Sequence, residues 1–135
     1  MAQITEDYVS FETAKLLKEK GFDAEGVSEF GGFYVDYYHT EERIGIATES
    51  GMLNKTLEDW EYLRPTLQMA MKWLREVHKL YFWIAHKMKQ NKGLPWYYGI
   101  HNSETGSVVK IGDVVCGSYE VACESAIRYC LENLI

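Results

Sequence analysis

Pro65-Thr66-Leu67-Gln68-Met69-Ala70-Met71-Lys72-Trp73-Leu74-Arg75-Glu76-Val77-His78 is the stretch on which the fold turns. Proline in a first helical turn loses no hydrogen bond, because its N–H would be unpaired there anyway. Arg64, preceding a proline, is biased towards extended backbone, so the spacing predicts a helix opening at Pro65 with Thr66 capping its first amides. Leu67, Ala70, Met71, Leu74, Val77 and His78 recur at three- and four-residue intervals and predict one buried stripe. Met69 and Trp73 lie beside it. A helix with so little polar surface has to be packed on both flanks or covered by a partner.

The strand signals lie on either side of it. C-terminally, Leu80 to Met88 is rich in aromatic and β-branched residues and reads as a strand. Asn91-Lys92-Gly93 supplies a turn, and Trp96 to His101 returns antiparallel. Ser103-Glu104-Thr105-Gly106 turns again into a strand from Val108 to Cys116, with Gly112-Asp113 marking a bulge. Ser118 then caps a last helix, Tyr119 to Leu134, whose stripe is Ala122, Cys123, Ala126, Ile127, Cys130, Leu131 and Leu134.

N-terminally, Ser10 caps a helix from Phe11 to about Lys20 that Gly21 stops. Gly26, Gly31 and Gly32 mark a loop. Phe33 to Tyr38, a turn at Thr40-Glu41-Glu42 and a short strand around Ile44 and Ile46 form a hairpin. Residues 49–64 read as irregular, with Leu57, Trp60 and Leu63 in a short helical turn. The expected order is α-β-β-α-β-β-β-α: an α+β fold, with helices packed on an antiparallel or mixed sheet. At 135 residues without a dividing linker, one domain spanning 1–135 is expected.

The net charge of −6 is uneven. Residues 1–65 carry fourteen acidic and six basic side chains, a balance of −8; residues 66–135 carry six acidic and eight basic, a balance of +2. An acidic half opposes nonspecific phosphate binding, which depends on Lys and Arg. No apolar run approaches the roughly 20 residues of a membrane span. The polar, acidic start Met1-Ala2-Gln3-Ile4-Thr5-Glu6-Asp7 is unlike a secretory signal, so a cytoplasmic location is expected. The cysteines fit that compartment. Cys123 and Cys130 are seven apart on one helix, about 10.5 Å at 1.5 Å per residue. That is too far for a disulfide, so both read as small core residues.

Three segments, SFETAKLLKEKGFD (10–23), PTLQMAMKWLREVH (65–78) and YEVACESAIRYCLENLI (119–135), resemble a family of small uncharacterised proteins from gut Bacteroidales genomes and their phages. All three are helical. The resemblance implies a bacterial cytoplasmic setting and a mobile-element origin. It brings no activity and no site residues.

Recognisable chemistry is scarce. The glycines lack the Lys-Ser/Thr of a phosphate-binding loop, and no His-Glu-x-x-His, Cys-x-x-Cys or nucleophile elbow occurs. The sequence therefore assigns no catalytic residue, metal or cofactor. A hairpin turning near Lys92 would bring His86 and His101 opposite each other, about 5 Å apart at Cβ, although a third ligand such as His39 would have to come from elsewhere. Lys87, Lys89 and Lys92 beside Tyr97 and Tyr98 raise nucleic-acid binding as an alternative, and the order α-β-β-β-α from residue 66 is that of double-stranded-RNA-binding domains.

The aromatics carry the leading expectation. Alternation sends half of each hairpin's aromatic set inward and leaves half for solvent or a partner. Tyr34 and Tyr38 of the first hairpin, and Trp83, Trp96, Tyr97 and Tyr98 of the second, are the expected binding residues. The sequence thus points to a non-enzymatic module that binds another protein or itself as a homodimer.

Overall fold

Capping chemistry fixes the first helix. In the structure, a computed structural model of the chain, residues 7–22, 36–40, 43–45, 62–86, 96–111 and 117–135 are described, with backbone alone for 36–40 and 43–45. The α1 helix spans Phe11–Glu19, and the Ser10 hydroxyl accepts a hydrogen bond from the Thr13 N–H at 3.2 Å. At the other end the Phe22 N–H donates to the Leu17 carbonyl and the Gly21 N–H to that of Lys18. This Schellman closure needs a left-handed residue, supplied by Gly21 at φ +96°.

The chain divides into two compact units, Met1–Thr66 and Leu67–Ile135. In the first, β1 (Asp36–Thr40) pairs antiparallel with β2 (Arg43–Gly45), the expected hairpin. It also pairs with β3 (Tyr62–Arg64), giving the order β2-β1-β3. The strand at 62–64 corrects the irregular reading of this segment: it pairs with β1, and Leu63 is buried between half-buried Tyr62 and Arg64. Leu57 and Trp60 lie outside the described residues. The α1 helix packs on β3 through Thr13, Ala14 and Leu17, with Tyr62 meeting Phe11 edge-on at 5.5 Å.

The second unit holds α2 (Leu67–His78), β4 (Leu80–His86), β5 (Trp96–Asn102), β6 (Val108–Ile111) and α3 (Tyr119–Asn133). The α2 helix opens two residues later than Pro65. The Pro65 carbonyl accepts from the Val9 N–H, and Thr66 bridges to Tyr8, so both stay extended. Leu67, Ala70, Met71, Trp73 and Leu74 form its buried side. Val77 shares that side by rotation yet is 41% exposed, because it sits in the last turn before Lys79, at φ 59°, reverses the chain into β4.

The strands β4, β5 and β6 form an antiparallel sheet in that order. Asn102 shapes the turn into β6 by accepting from the Glu104 and Thr105 amides, and Gly106 takes φ +73°. The bulge falls at Val109, between the pairs Ile100–Lys110 and His101–Val108; Gly112 and Asp113, where it was expected, lie outside the described residues. Both helices pack on the sheet and on each other. The expected α3 stripe is buried from Ala122 to Leu131, while Leu134 is half-exposed. The class is α+β, as expected, with β3 as an added strand and every pairing antiparallel. Among the described residues no helix is long and apolar enough to cross a membrane.

One close approach is built into this sheet. Gly99 stands opposite Trp83, and a Cβ at position 99 would fall within the indole ring. A strand glycine covered by a cross-strand ring leaves no room for a methyl group. Gly99→Ala is expected to lower stability by about 1–3 kcal/mol, the usual range for overpacking, and to change Trp fluorescence. An unchanged melting temperature would show that the ring does not occupy that space.

Candidate binding surface

Register sorts the side chains of β4 and β5 onto two sides. Opposed residues of an antiparallel pair point the same way, and neighbours along a strand point oppositely. Phe82–Ile100 and Ile84–Tyr98 therefore share one side, while Tyr81–His101, Trp83–Gly99 and Ala85–Tyr97 share the other. The helices take the first side. There Ile100 is fully buried, Trp96 meets Tyr119 of α3 edge-on at 5.7 Å, and the Lys110 ammonium lies 5.0 Å over the Tyr129 ring.

Among the described residues, the helices of this unit bury their apolar stripes on the first side and leave the second to the Arg75 side chain alone. Tyr81 is 42% exposed, and the β6 residues paired with His101 and Gly99, Val108 and Ile111, are 59% and 54% exposed. The His101 ring stacks on Tyr81 at 5.5 Å and lies against Trp83 at 5.8 Å. Arg75 lies over the far end, its guanidinium 5.7 Å from the Tyr81 ring. The result is an aromatic strip bordered by exposed aliphatic residues. Patches of this kind on a sheet mark contact surfaces more often than isolated apolar side chains do.

The expected binding residues separate accordingly. Trp83 and Tyr97 belong to the open side. Trp96 faces the helices, and Tyr98, at 7% exposure, belongs to the core of the sheet; the two-residue period that puts Tyr97 outward puts its neighbours inward. Burial removes Tyr98 from any contact surface. Tyr34 lies outside the described residues, and Tyr38 is placed only by its backbone, opposite Ile44 and Tyr62. Tyr81, Val108 and Ile111 were not among the binding residues expected from sequence, and His101 was singled out only as a partner for His86. Extending the alternation of β4 by one step reaches Tyr81, but the β6 residues depend on a bulge that no local pattern announces.

His86 and His101 are not opposed. Trp96 stands opposite His86 and Tyr81 opposite His101, so the two histidines lie near opposite ends of the hairpin. The strand pairing centres near Asn91 rather than beyond it, a shift that separates them. His86 instead meets Trp96 edge-on at 4.8 Å. Among the described residues no group of three or more His, Cys, Asp or Glu side chains is arranged to hold a metal ion.

Beside the edge of β4, a cleft of about 180 Å³ opens between α2 and the strand. Met71, Arg75, Tyr81, Phe82 and Ile84 line it, and Gln68 donates across it to the Tyr119 hydroxyl at 3.0 Å. That hydrogen bond draws the Tyr119 pKa down, but burial, the Cys123 thiol and Glu120 outweigh it, and the phenol ends above its ordinary value. Burial pushes Cys123 up to about 11 and Cys130 up to about 12. Both are free buried thiols, poor nucleophiles at neutral pH.

Comparison with protein-family models, with curated proteins and with solved structures finds no match for this chain.

His78 gives the unit a pH dependence. Its ring packs edge-on against Trp73 at 4.8 Å, and its Nε2 is buried without a hydrogen-bond partner among the described residues. Burial lowers its pKa below 6.5, because the folded site disfavours imidazolium. Below that value the unfolded chain binds protons that the folded chain resists. The contribution is therefore full above pH 6.5 and is lost as pH falls through the folded pKa. Denaturant titrations from pH 8 to pH 5 are expected to show this loss, with a shallower slope in His78→Gln. Identical slopes would contradict the burial.

Proposed function

We propose that this chain is a non-catalytic protein-binding module whose contact surface is the open side of the β4–β6 sheet. One observation carries the reading: Tyr81, Trp83, His101, Val108 and Ile111 form a continuous apolar and aromatic surface on the side that α2 and α3 leave uncovered. Rigid aromatic side chains bury large areas on contact at little entropic cost, which suits them to protein recognition. The acidic first half and the free buried thiols support work in the cytoplasm. The helical resemblance supports a bacterial setting and a mobile-element origin.

A second reading, a nucleic-acid accessory protein, has one observation in its favour. Residues 67–135 run α-β-β-β-α with both helices on one side of the sheet, the order of double-stranded-RNA-binding domains. Against it, such domains contact phosphates with a helix end, and the first turn of α3 carries Glu120. Lys87, Lys89 and Lys92 lie outside the described residues.

A tagged pull-down from bacterial lysate, with and without nuclease, separates the readings. The expected result is a partner retained after nuclease treatment, lost from Tyr81→Ser/Ile111→Ser and kept by Val121→Ser, an exposed change on α3. Retention that disappears with nuclease or moderate salt would favour the second reading.

A further inference from the structure

We propose that two copies of this chain join along the free edges of β4, about a two-fold axis normal to the sheet, to form one six-stranded antiparallel sheet. The two edges of the β4–β6 sheet are built differently. Over its described residues, the β6 edge carries Lys110 and is interrupted by the bulge at Val109. A lysine and a bulge are among the devices by which natural edge strands avoid pairing. Over its described residues the β4 edge has neither: Leu80-Tyr81-Phe82-Trp83-Ile84-Ala85-His86 is regular and without Lys, Arg, Asp, Glu, Pro or Gly. Among the described residues no strand pairs with this edge, so it offers N–H and C=O groups beside apolar side chains, a template for another strand.

Burial points the same way. Phe82 and Ile84 face the helices as Ile100 and Tyr98 do, yet they remain half-exposed while their cross-strand partners are buried. Among the described residues, what adjoins them is the cleft. The core of this unit is incomplete along β4.

A second copy completes it, and symmetry fixes how. A two-fold axis normal to the sheet keeps the helix side of one copy level with that of the other. Residues opposed across the seam must then point the same way, so only every second register is possible. The register with full overlap sets Trp83 opposite Trp83 of the second copy. It also sets Phe82 opposite Ile84, Tyr81 opposite Ala85 and Leu80 opposite His86, each twice over. The half-exposed Phe82 and Ile84 thus cover one another at both ends of the seam, and no like-charged carboxylates or ammonium groups meet. Seven paired residues give a seam of about 23 Å. Both open sides stay on the same side of the joined sheet, so the surface assigned above still faces outward, with Tyr81 and Trp83 bordering the seam and Phe82 and Ile84 outside that surface. The two readings can therefore fail independently.

Sedimentation equilibrium of the wild-type chain over the micromolar range tests the association. The expected mass is that of two copies, falling towards one on dilution. Phe82→Glu and Ile84→Lys are each expected to be monomeric with unchanged circular dichroism. Mixing them should restore the two-copy mass, because the new carboxylate of one faces the new ammonium of the other across the seam. A wild-type chain that stays monomeric throughout overturns the proposal without recourse to any variant. So do single variants that still dimerise, a mixture that stays monomeric, or a strand of a different protein found paired with β4.

Discussion

One sheet has one side to bury, and the second unit is arranged around that constraint. Ile100, at the centre of β5, is fully enclosed on the side where α3, with its Ala122–Leu131 stripe, packs on the strand. Antiparallel sheets tolerate one uncovered side, provided that it is polar or has something to meet. Here the uncovered side is aromatic. Truncating a central core residue such as Ile100 would remove about 2–5 kcal/mol, a large part of a small domain's stability, so both helices are held tightly to their side.

The same constraint explains where polar groups sit. Lys110 lies on the helix side but near the β6 edge, where its stem passes over Tyr129 and its ammonium stays half in water. Gln68 and Tyr119 satisfy one another at the cleft rather than in the core. Cys123 and Cys130 fill buried positions on α3 without adding charge, since burial holds both thiols protonated. His78 is the exception, a titratable ring at the end of α2 whose pKa burial lowers and whose edge meets Trp73.

The helices were legible because their information is local. Ser10 and Ser118 cap as expected, Gly21 closes α1, and the α3 stripe was readable almost residue for residue. Strand assignments in the second unit were equally local. Register was not. Whether His86 meets His101 or Trp96 depends on where the hairpin turns, and a displacement of a few residues changed the answer. Tyr97 and Tyr98 illustrate the same limit from another angle: both are strand-forming aromatics, and only their parity relative to the helices separates an open-side residue from a buried one. The strand at 62–64 was hidden because three residues before a proline are too few to show a period.

The central claim is a sheet with β5 enclosed, β4 free along one edge, and one side left open. Residue-resolved amide hydrogen exchange on a dilute sample tests it most directly. The account predicts slow exchange throughout the core of β5. In β4 it predicts alternation, with amides bonded to β5 protected and those pointing outward exchanging quickly, since among the described residues only the former have strand partners. Uniformly slow exchange along β4 in a dilute monomer would contradict it, because the strand would then lie inside the sheet rather than at its edge.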